Sequence, residues 1–137
     1  MKLSKKGFSL IELLISLIII AIIASVAFPV SRISYVREKE GDLKYNLRQV
    51  RDGIDRYFQH HGFYPESLKD LTDGNFLRRI PSEPFGGVWE YRNSSGGLWE
   101  EFEDYGNEYK AKPGDDIYDI RTNVTTLSIT GEPYSEW

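Results

Sequence analysis

The chain has 137 residues, no cysteine and a formal net charge of −4, so it has room for one small folded domain and one apolar segment. The absence of cysteine excludes disulfides, thiolate nucleophiles and Cys-ligated metal clusters. Acidic residues concentrate at the carboxyl end, where residues 83–137 carry twelve acids and four bases. Because an acidic surface repels phosphate backbones, we expect no nucleic-acid partner.

The first element is an apolar segment near the amino terminus. From Phe8 to Phe28 the only charged side chain is Glu12. As a helix, this segment would be about 31 Å long at ~1.5 Å per residue, which matches a hydrocarbon core of about 30 Å. Three lysines precede it, and such a cationic end stays in the cytoplasm. We therefore predict a helix at 8–30 that crosses the membrane once, with the remainder outside.

A proline marks the end of this segment. Pro29 lacks the N–H that would bond to the Ser25 carbonyl, so we predict a helix kink there. Ser25-Val26-Ala27 could also serve as the small-x-small cleavage site of an ordinary secretory signal. Against this alternative, the apolar run is longer than the usual 7 to 15 or so residues and contains Glu12.

The residues around the start of the apolar segment form a specific pattern, Lys5-Lys6-Gly7-Phe8-Ser9-Leu10-Ile11-Glu12. It resembles the signal of type IV pilins and of type II secretion pseudopilins. The resemblance implies that 1–7 is a leader, which a prepilin peptidase removes by cutting between Gly7 and Phe8, and that Phe8 is then N-methylated. It also implies an assembly role for Glu12, which would attract the new amino terminus of a neighbouring subunit. One departure from the family is Ala21, where many members have a glycine.

A second helix-forming pattern follows the proline. Apolar residues recur at helical spacing, and charged residues of both signs occupy the other faces. Gly62 and Pro65 end this pattern, so we predict a helix over 31–61. Pro65 could then open a short helix that buries Leu68 and Leu71. The apolar positions of the long helix are Ile33, Val36, Leu43, Leu47, Val50, Ile54 and Phe58.

The carboxyl-terminal half predicts a sheet. Two aromatic-rich segments, 88–92 and 98–102, flank the polar, glycine-containing connection 93–97, a pattern typical of a β-hairpin. Residues 80–87, Ile-Pro-Ser-Glu-Pro-Phe-Gly-Gly, resemble a segment that precedes the sheet in major pseudopilins, although Glu83 and Phe85 replace the usual Asp and Trp. The predicted fold class is therefore α+β and type IV pilin-like. The resemblance implies a long amino-terminal helix, transmembrane in its first half and amphipathic in its second, packed on a small antiparallel sheet. It also implies that 31–137 is the periplasmic domain, with sheet and loops at 62–137.

Calcium is the one cofactor that the resemblance suggests. Major pseudopilins often bind this ion in the terminal loop region, and it needs about six to eight oxygen ligands. The chain has no EF-hand loop, so the candidates are scattered oxygen-bearing side chains. They are Asp104, Asn107, Glu108, Asp115, Asp116 and Asp119.

The resemblance is closest to a type II secretion major pseudopilin (G-type). It implies a subunit of a periplasmic pseudopilus that drives protein export by polymerising through its amino-terminal helix. The implied partners are the prepilin peptidase, further copies in a helical filament, minor pseudopilins, the inner-membrane assembly platform and, before assembly, membrane lipid. The first alternative is a pilin of an adhesive or motility pilus. The second is a membrane-anchored binding domain or enzyme, but no catalytic motif is present and we expect no enzyme.

Overall fold

The computed structural model describes residues 8–103, 106 and 108–137, and for residues 26–31 it describes the backbone only. The elements in chain order are α1 Leu10–His61, α2 Leu68–Asp73, β1 Trp89–Arg92, β2 Glu100–Glu101, β3 Asp119–Thr122 and a 3₁₀ turn at Tyr134–Glu136. The chain divides into two compact units, Met1–Arg37 and Glu38–Trp137, called here the amino-terminal and carboxyl-terminal units. The α+β class, with a long first helix and a small antiparallel sheet, is confirmed.

The ends of α1 follow from local chemistry. The helix begins at Leu10, two residues later than predicted, and the Leu13 N–H donates to the Ser9 carbonyl at 3.1 Å. At the other end the Gly62 N–H donates to the Phe58 carbonyl at 2.8 Å, and Gly62 has a φ of 81°. A positive φ suits a residue without Cβ, so Gly62 ends the helix as the left-handed cap that the sequence predicts.

Two predictions for the apolar segment stay predictions. The kink at Pro29 falls within residues 26–31, whose side chains lie outside the described part of the chain. Among the described residues, no helix combines the length and the apolar character that a membrane crossing requires. The predicted span, 8–30, includes five of the residues whose side chains are not described.

The core of the carboxyl-terminal unit forms around one face of α1. Leu43, Leu47, Val50 and Ile54 are at most 2 % exposed, and they recur at intervals of four, three and four, so they share one helix face. They form a single buried cluster with aromatic and aliphatic side chains of the sheet and of α2. The predicted stripe ends there, because Phe58 is 39 % exposed and stacks on Tyr64 at a ring distance of 4.3 Å.

The sheet has three antiparallel strands in the order β2-β1-β3. The predicted hairpin is confirmed, since Glu90 pairs with Glu101 and Tyr91 with Glu100. Its second strand is shorter than predicted, because the Asn93 side-chain oxygen accepts from the Gly97 N–H at 3.1 Å and holds that end as a loop. Leu98, the next residue, is 86 % exposed.

The short helix α2 starts at a different residue from the one predicted. Ser67 is its N-cap, with the Ser67 hydroxyl oxygen accepting from the Lys69 N–H and Asp70 accepting from the Ser67 N–H. These two bonds form a capping box, which satisfies donors that a helix start leaves free. Pro65 precedes the cap, and its carbonyl accepts from the Ile117 N–H at 2.8 Å. Leu68 and Leu71 are fully buried, as predicted.

One arginine of α1 fastens the distal segments to the helix. Arg51 donates to Asp119 at 2.7 Å, to the Ile120 carbonyl at 2.9 Å and to the Trp137 carbonyl at 2.8 Å. The fixed fork of a guanidinium suits three acceptors in such an arrangement. Arg51 thereby holds β3 and the 3₁₀ turn against α1.

Candidate functional site

The predicted processing junction lies at the edge of the described residues. Gly7 and the three leader lysines are outside them, whereas Phe8 is inside and 78 % exposed. Cleavage between Gly7 and Phe8 and methylation of Phe8 therefore stay predictions from the sequence. The described residues that follow Phe8 show what the new amino terminus would adjoin.

The first helical turns present an apolar surface on every side. From Phe8 to Ile23 the large apolar side chains are 49 % to 79 % exposed. Burying one such side chain fully is worth about 1.5 to 3 kcal/mol, so this surface favours a covering partner. Such helices, apolar all round, are buried in lipid or among other chains.

Glu12 is the one charge within this surface, and it is exposed. It lies in the first turn of α1, where the positive end of the helix dipole favours a carboxylate. Ser9 and Glu12 have the spacing of a capping box. In α2 both bonds of such a box form, but within the described residues no hydrogen bond or ion pair to the Glu12 carboxylate is present. The carboxylate is left available to a partner.

A second polar group lies one helical turn beyond Glu12. The Ser16 hydroxyl donates to the Glu12 backbone carbonyl at 2.8 Å. Further along, the Ser25 hydroxyl donates to the Ile22 carbonyl at 2.7 Å. The sequence reasoning did not single out Ser16, although its spacing of four from Glu12 places the two on one helix face.

The segment before the sheet is organised by Glu83. One carboxylate oxygen accepts from the Phe85 N–H at 2.8 Å and from the Gly87 N–H at 2.6 Å, and the other accepts from the Thr122 hydroxyl at 3.2 Å. In the same segment the Pro81 carbonyl accepts from the Trp89 indole N–H at 2.9 Å. Glu83 thus performs a folding role here, tying the loop to β3.

The distal segment is joined to α1 by Glu40. Its carboxylate accepts from the Ile129 N–H at 2.7 Å and from the Tyr134 hydroxyl at 3.0 Å. Burial of the Tyr134 side chain, reinforced by its bond to Glu40, raises the pKa of this phenol to about 12. The neutral phenol is therefore favoured in the folded chain.

Two of the calcium candidates, Asp104 and Asn107, lie outside the described residues. Of the others, Glu108 pairs with Lys69, and Asp119 pairs with Arg51 and also faces Arg92 at 3.5 Å. Both are therefore held by cations.

The adjacent candidates Asp115 and Asp116 bind the hairpin loop. Asp115 accepts from the Asn93 amide at 3.0 Å and from the Tyr91 hydroxyl at 3.2 Å. Asp116 accepts from the Ser94 N–H at 2.7 Å and from the Ser94 hydroxyl at 2.6 Å. Among the described residues, no group of three or more His, Asp or Glu side chains could hold a metal. Calcium binding stays a prediction.

Comparison with known proteins identifies the amino-terminal segment. Residues 2–28 match the family described as the prokaryotic N-terminal methylation motif. The matched range contains Gly7, Phe8 and Glu12, and it indicates a type IV pilin-like protein, of a pilus or of a pseudopilus. No curated protein matches the chain, and no solved structure does.

Proposed function

We propose that this chain is a prepilin whose mature form is a filament subunit. The observation that carries the proposal is the exposed apolar surface of residues 8–25, which contains one carboxylate, Glu12, without a partner among the described residues. The methylation motif at residues 2–28 supports the same function. The role is structural, and no catalytic step is assigned to the chain itself.

Processing supplies the charge that Glu12 needs. Before cleavage the Phe8 nitrogen is a neutral amide. Hydrolysis of the Gly7–Phe8 peptide bond by a prepilin peptidase leaves a carboxylate on Gly7 and an amine on Phe8, which is protonated near neutral pH and keeps its charge when methylated. In an apolar environment, an isolated carboxylate and an isolated ammonium are both costly, and pairing them lowers that cost. The leader therefore prevents assembly until it is removed.

The covering partner changes during assembly. Before assembly, lipid of the bacterial inner membrane covers the apolar surface, with the amino terminus cytoplasmic and the carboxyl-terminal unit periplasmic. After assembly, the same surface lies against other copies in a helical filament. Glu12 of one copy receives the Phe8 ammonium of the next, which recruits each copy in register.

Within this class we favour a shaft subunit of a type II secretion pseudopilus over a pilin of an adhesive or motility pilus. The chain has none of the terminal cysteines usual in many pilins. Its 80–87 segment resembles that of major pseudopilins, and Glu83 ties this loop to β3. Minor pseudopilins and an inner-membrane assembly platform are its further partners.

The test is Glu12→Gln in the full-length chain, with Glu38→Gln as a matched control in the same helix. Glutamine keeps the shape but not the charge, so insertion and cleavage should persist while filament yield falls about tenfold or more, the scale of losing one charged hydrogen bond. The control should assemble normally. Normal filament yield from Glu12→Gln would contradict the proposal.

The same strains separate the two kinds of filament. For a pseudopilus subunit, Glu12→Gln lowers protein export together with filament yield and leaves surface pili unchanged. Loss of surface pili with intact export would contradict the pseudopilus assignment and support the pilus alternative.

A further inference from the structure

Three of the four polar side chains of residues 8–25 lie on one helix face near its start. At 3.6 residues per turn, Ser9, Glu12 and Ser16 fall within about 60° of one another, whereas Ser25 lies roughly 180° from Ser16. Hydroxyl groups are otherwise disfavoured on a surface that lipid or apolar neighbours cover. Ser16 is therefore placed beside the carboxylate, and Ser25 is not.

The Ser16 hydroxyl already donates its hydrogen, so its oxygen can only accept further hydrogen bonds. A serine hydroxyl has one hydrogen to donate and two lone pairs. The Ser16 hydrogen is directed to the Glu12 carbonyl at 2.8 Å, so its remaining capacity is for an incoming donor. Because residues four apart on a helix have Cβ atoms about 5 to 6 Å apart, this acceptor adjoins the Glu12 side chain.

An incoming methylated Phe8 amine needs two acceptors. The secondary ammonium carries two N–H groups, and in apolar surroundings each is costly unless it is accepted. The two N–H bonds of a tetrahedral nitrogen diverge. A single carboxylate can accept both parallel N–H groups of a planar guanidinium, but its two oxygens fit two diverging N–H groups less well. A second acceptor is therefore needed for the second N–H of the ammonium.

We propose that Ser16 is a second acceptor for the amino terminus of the neighbouring copy, positioning its ammonium on Glu12. One N–H binds the Glu12 carboxylate and the other binds the Ser16 hydroxyl oxygen. This inference rests on the proposed assembly function and adds a residue to its contact. It also accounts for a hydroxyl one turn from the only charge in the segment.

The test uses three full-length variants, Ser16→Ala, Ser16→Thr and, as the matched control, Ser25→Ala. Each is measured for membrane insertion, for cleavage and for filament yield. Ser16→Ala should insert and be cleaved normally but give about tenfold fewer filaments, since a hydrogen bond to a charged group is lost. Ser16→Thr keeps the hydroxyl and should assemble normally, as should Ser25→Ala.

The outcomes separate this inference from the proposed function. If Ser16→Ala assembles normally while Glu12→Gln does not, the role of Ser16 is refuted and the function stands. Equal losses in Ser16→Ala and Ser25→Ala, or no recovery in Ser16→Thr, would likewise refute a specific role. If Glu12→Gln itself assembles normally, both fail.

Discussion

In the carboxyl-terminal unit, two carboxylates each accept hydrogen bonds from donors in more than one segment of the chain. Glu83 binds the loop that follows it and Thr122, and Glu40 binds the backbone of Ile129 and the hydroxyl of Tyr134. Charged acceptors make stronger hydrogen bonds than neutral ones. Glu12 differs from both, because its carboxylate has no partner among the described residues. Two of these carboxylates therefore bind within the fold, and the third is the one that the proposed function assigns to assembly.

The raised pKa of Tyr134 predicts how the unfolding free energy changes at alkaline pH. Its pKa is about 12 in the folded chain, against about 10 when unfolded. A raised pKa means that the fold prefers the protonated form, so its contribution is complete below pH 10 and is lost as the pH rises through about 12. Tyr134→Phe removes this titration.

Unfolding free energies of the full chain in detergent, measured from pH 9 to 12, check this prediction. The wild-type chain should lose more stability over that range than Tyr134→Phe. The other groups with raised pKa values, Tyr57, Tyr64, Tyr91, Lys69 and Lys112, are present in both chains and cancel in the comparison. Parallel profiles would refute the assignment.

At the scale of elements, α1 depends on tertiary contacts beyond its own hydrogen bonds. Its buried face joins the core through Leu43, Leu47, Val50 and Ile54, and Arg51 binds three acceptors in β3 and near the 3₁₀ turn. These acceptors lie 68 to 86 residues further along the chain. The helix thus organises the distal half of the carboxyl-terminal unit.

Replacing Arg51 with lysine tests this organisation. A lysine keeps the charge but lacks the fork, so it cannot serve all three acceptors, and we expect a loss of about 1 to 3 kcal/mol in unfolding free energy. Arg48→Lys, on the exposed surface of the same helix, should change it by less than about 0.5 kcal/mol. Chemical unfolding followed by tryptophan fluorescence measures both. Equal stability of the two variants would contradict the role of Arg51.

For the whole molecule, local sequence patterns predicted the helices and the hairpin. Hydrogen bonds between distant residues could not be predicted from such patterns. Helical spacing located the stripe from Leu43 to Ile54, and Gly62 marked the helix end. The hairpin followed from its polar loop. The start of α2 was misplaced because Pro65 was predicted as the first helical residue, whereas the capping box of Ser67 and Asp70, itself a local pattern, sets the helix start. The contacts of Arg51 and Glu40 were missed because no local pattern contains their distant partners.

The candidate site was predicted in part. The pattern from Lys5 to Glu12 consists of neighbouring residues, so it can be read from the sequence alone. The match to the methylation motif includes all of these residues. The bond from Ser16 to the Glu12 carbonyl required the structure. The calcium candidates share only an oxygen-bearing side chain, and the described ones bind different partners.

The amino-terminal and carboxyl-terminal units meet different physical requirements. Buried leucine, isoleucine and aromatic side chains stabilise the second unit, whereas residues 8–25 expose their apolar side chains and so favour lipid or other copies. In the proposed function, the charge at Glu12 makes that preference specific once the Phe8 amine exists. Processing is then the step that must precede assembly.

Mass spectrometry of the amino terminus of the protein isolated from its native host tests this account most directly. The predicted product begins at Phe8 and carries a methyl group on its nitrogen, with Met1 to Gly7 absent. A chain that retains Met1, or one that begins at Phe28 after cleavage by a secretory signal peptidase, would contradict the account.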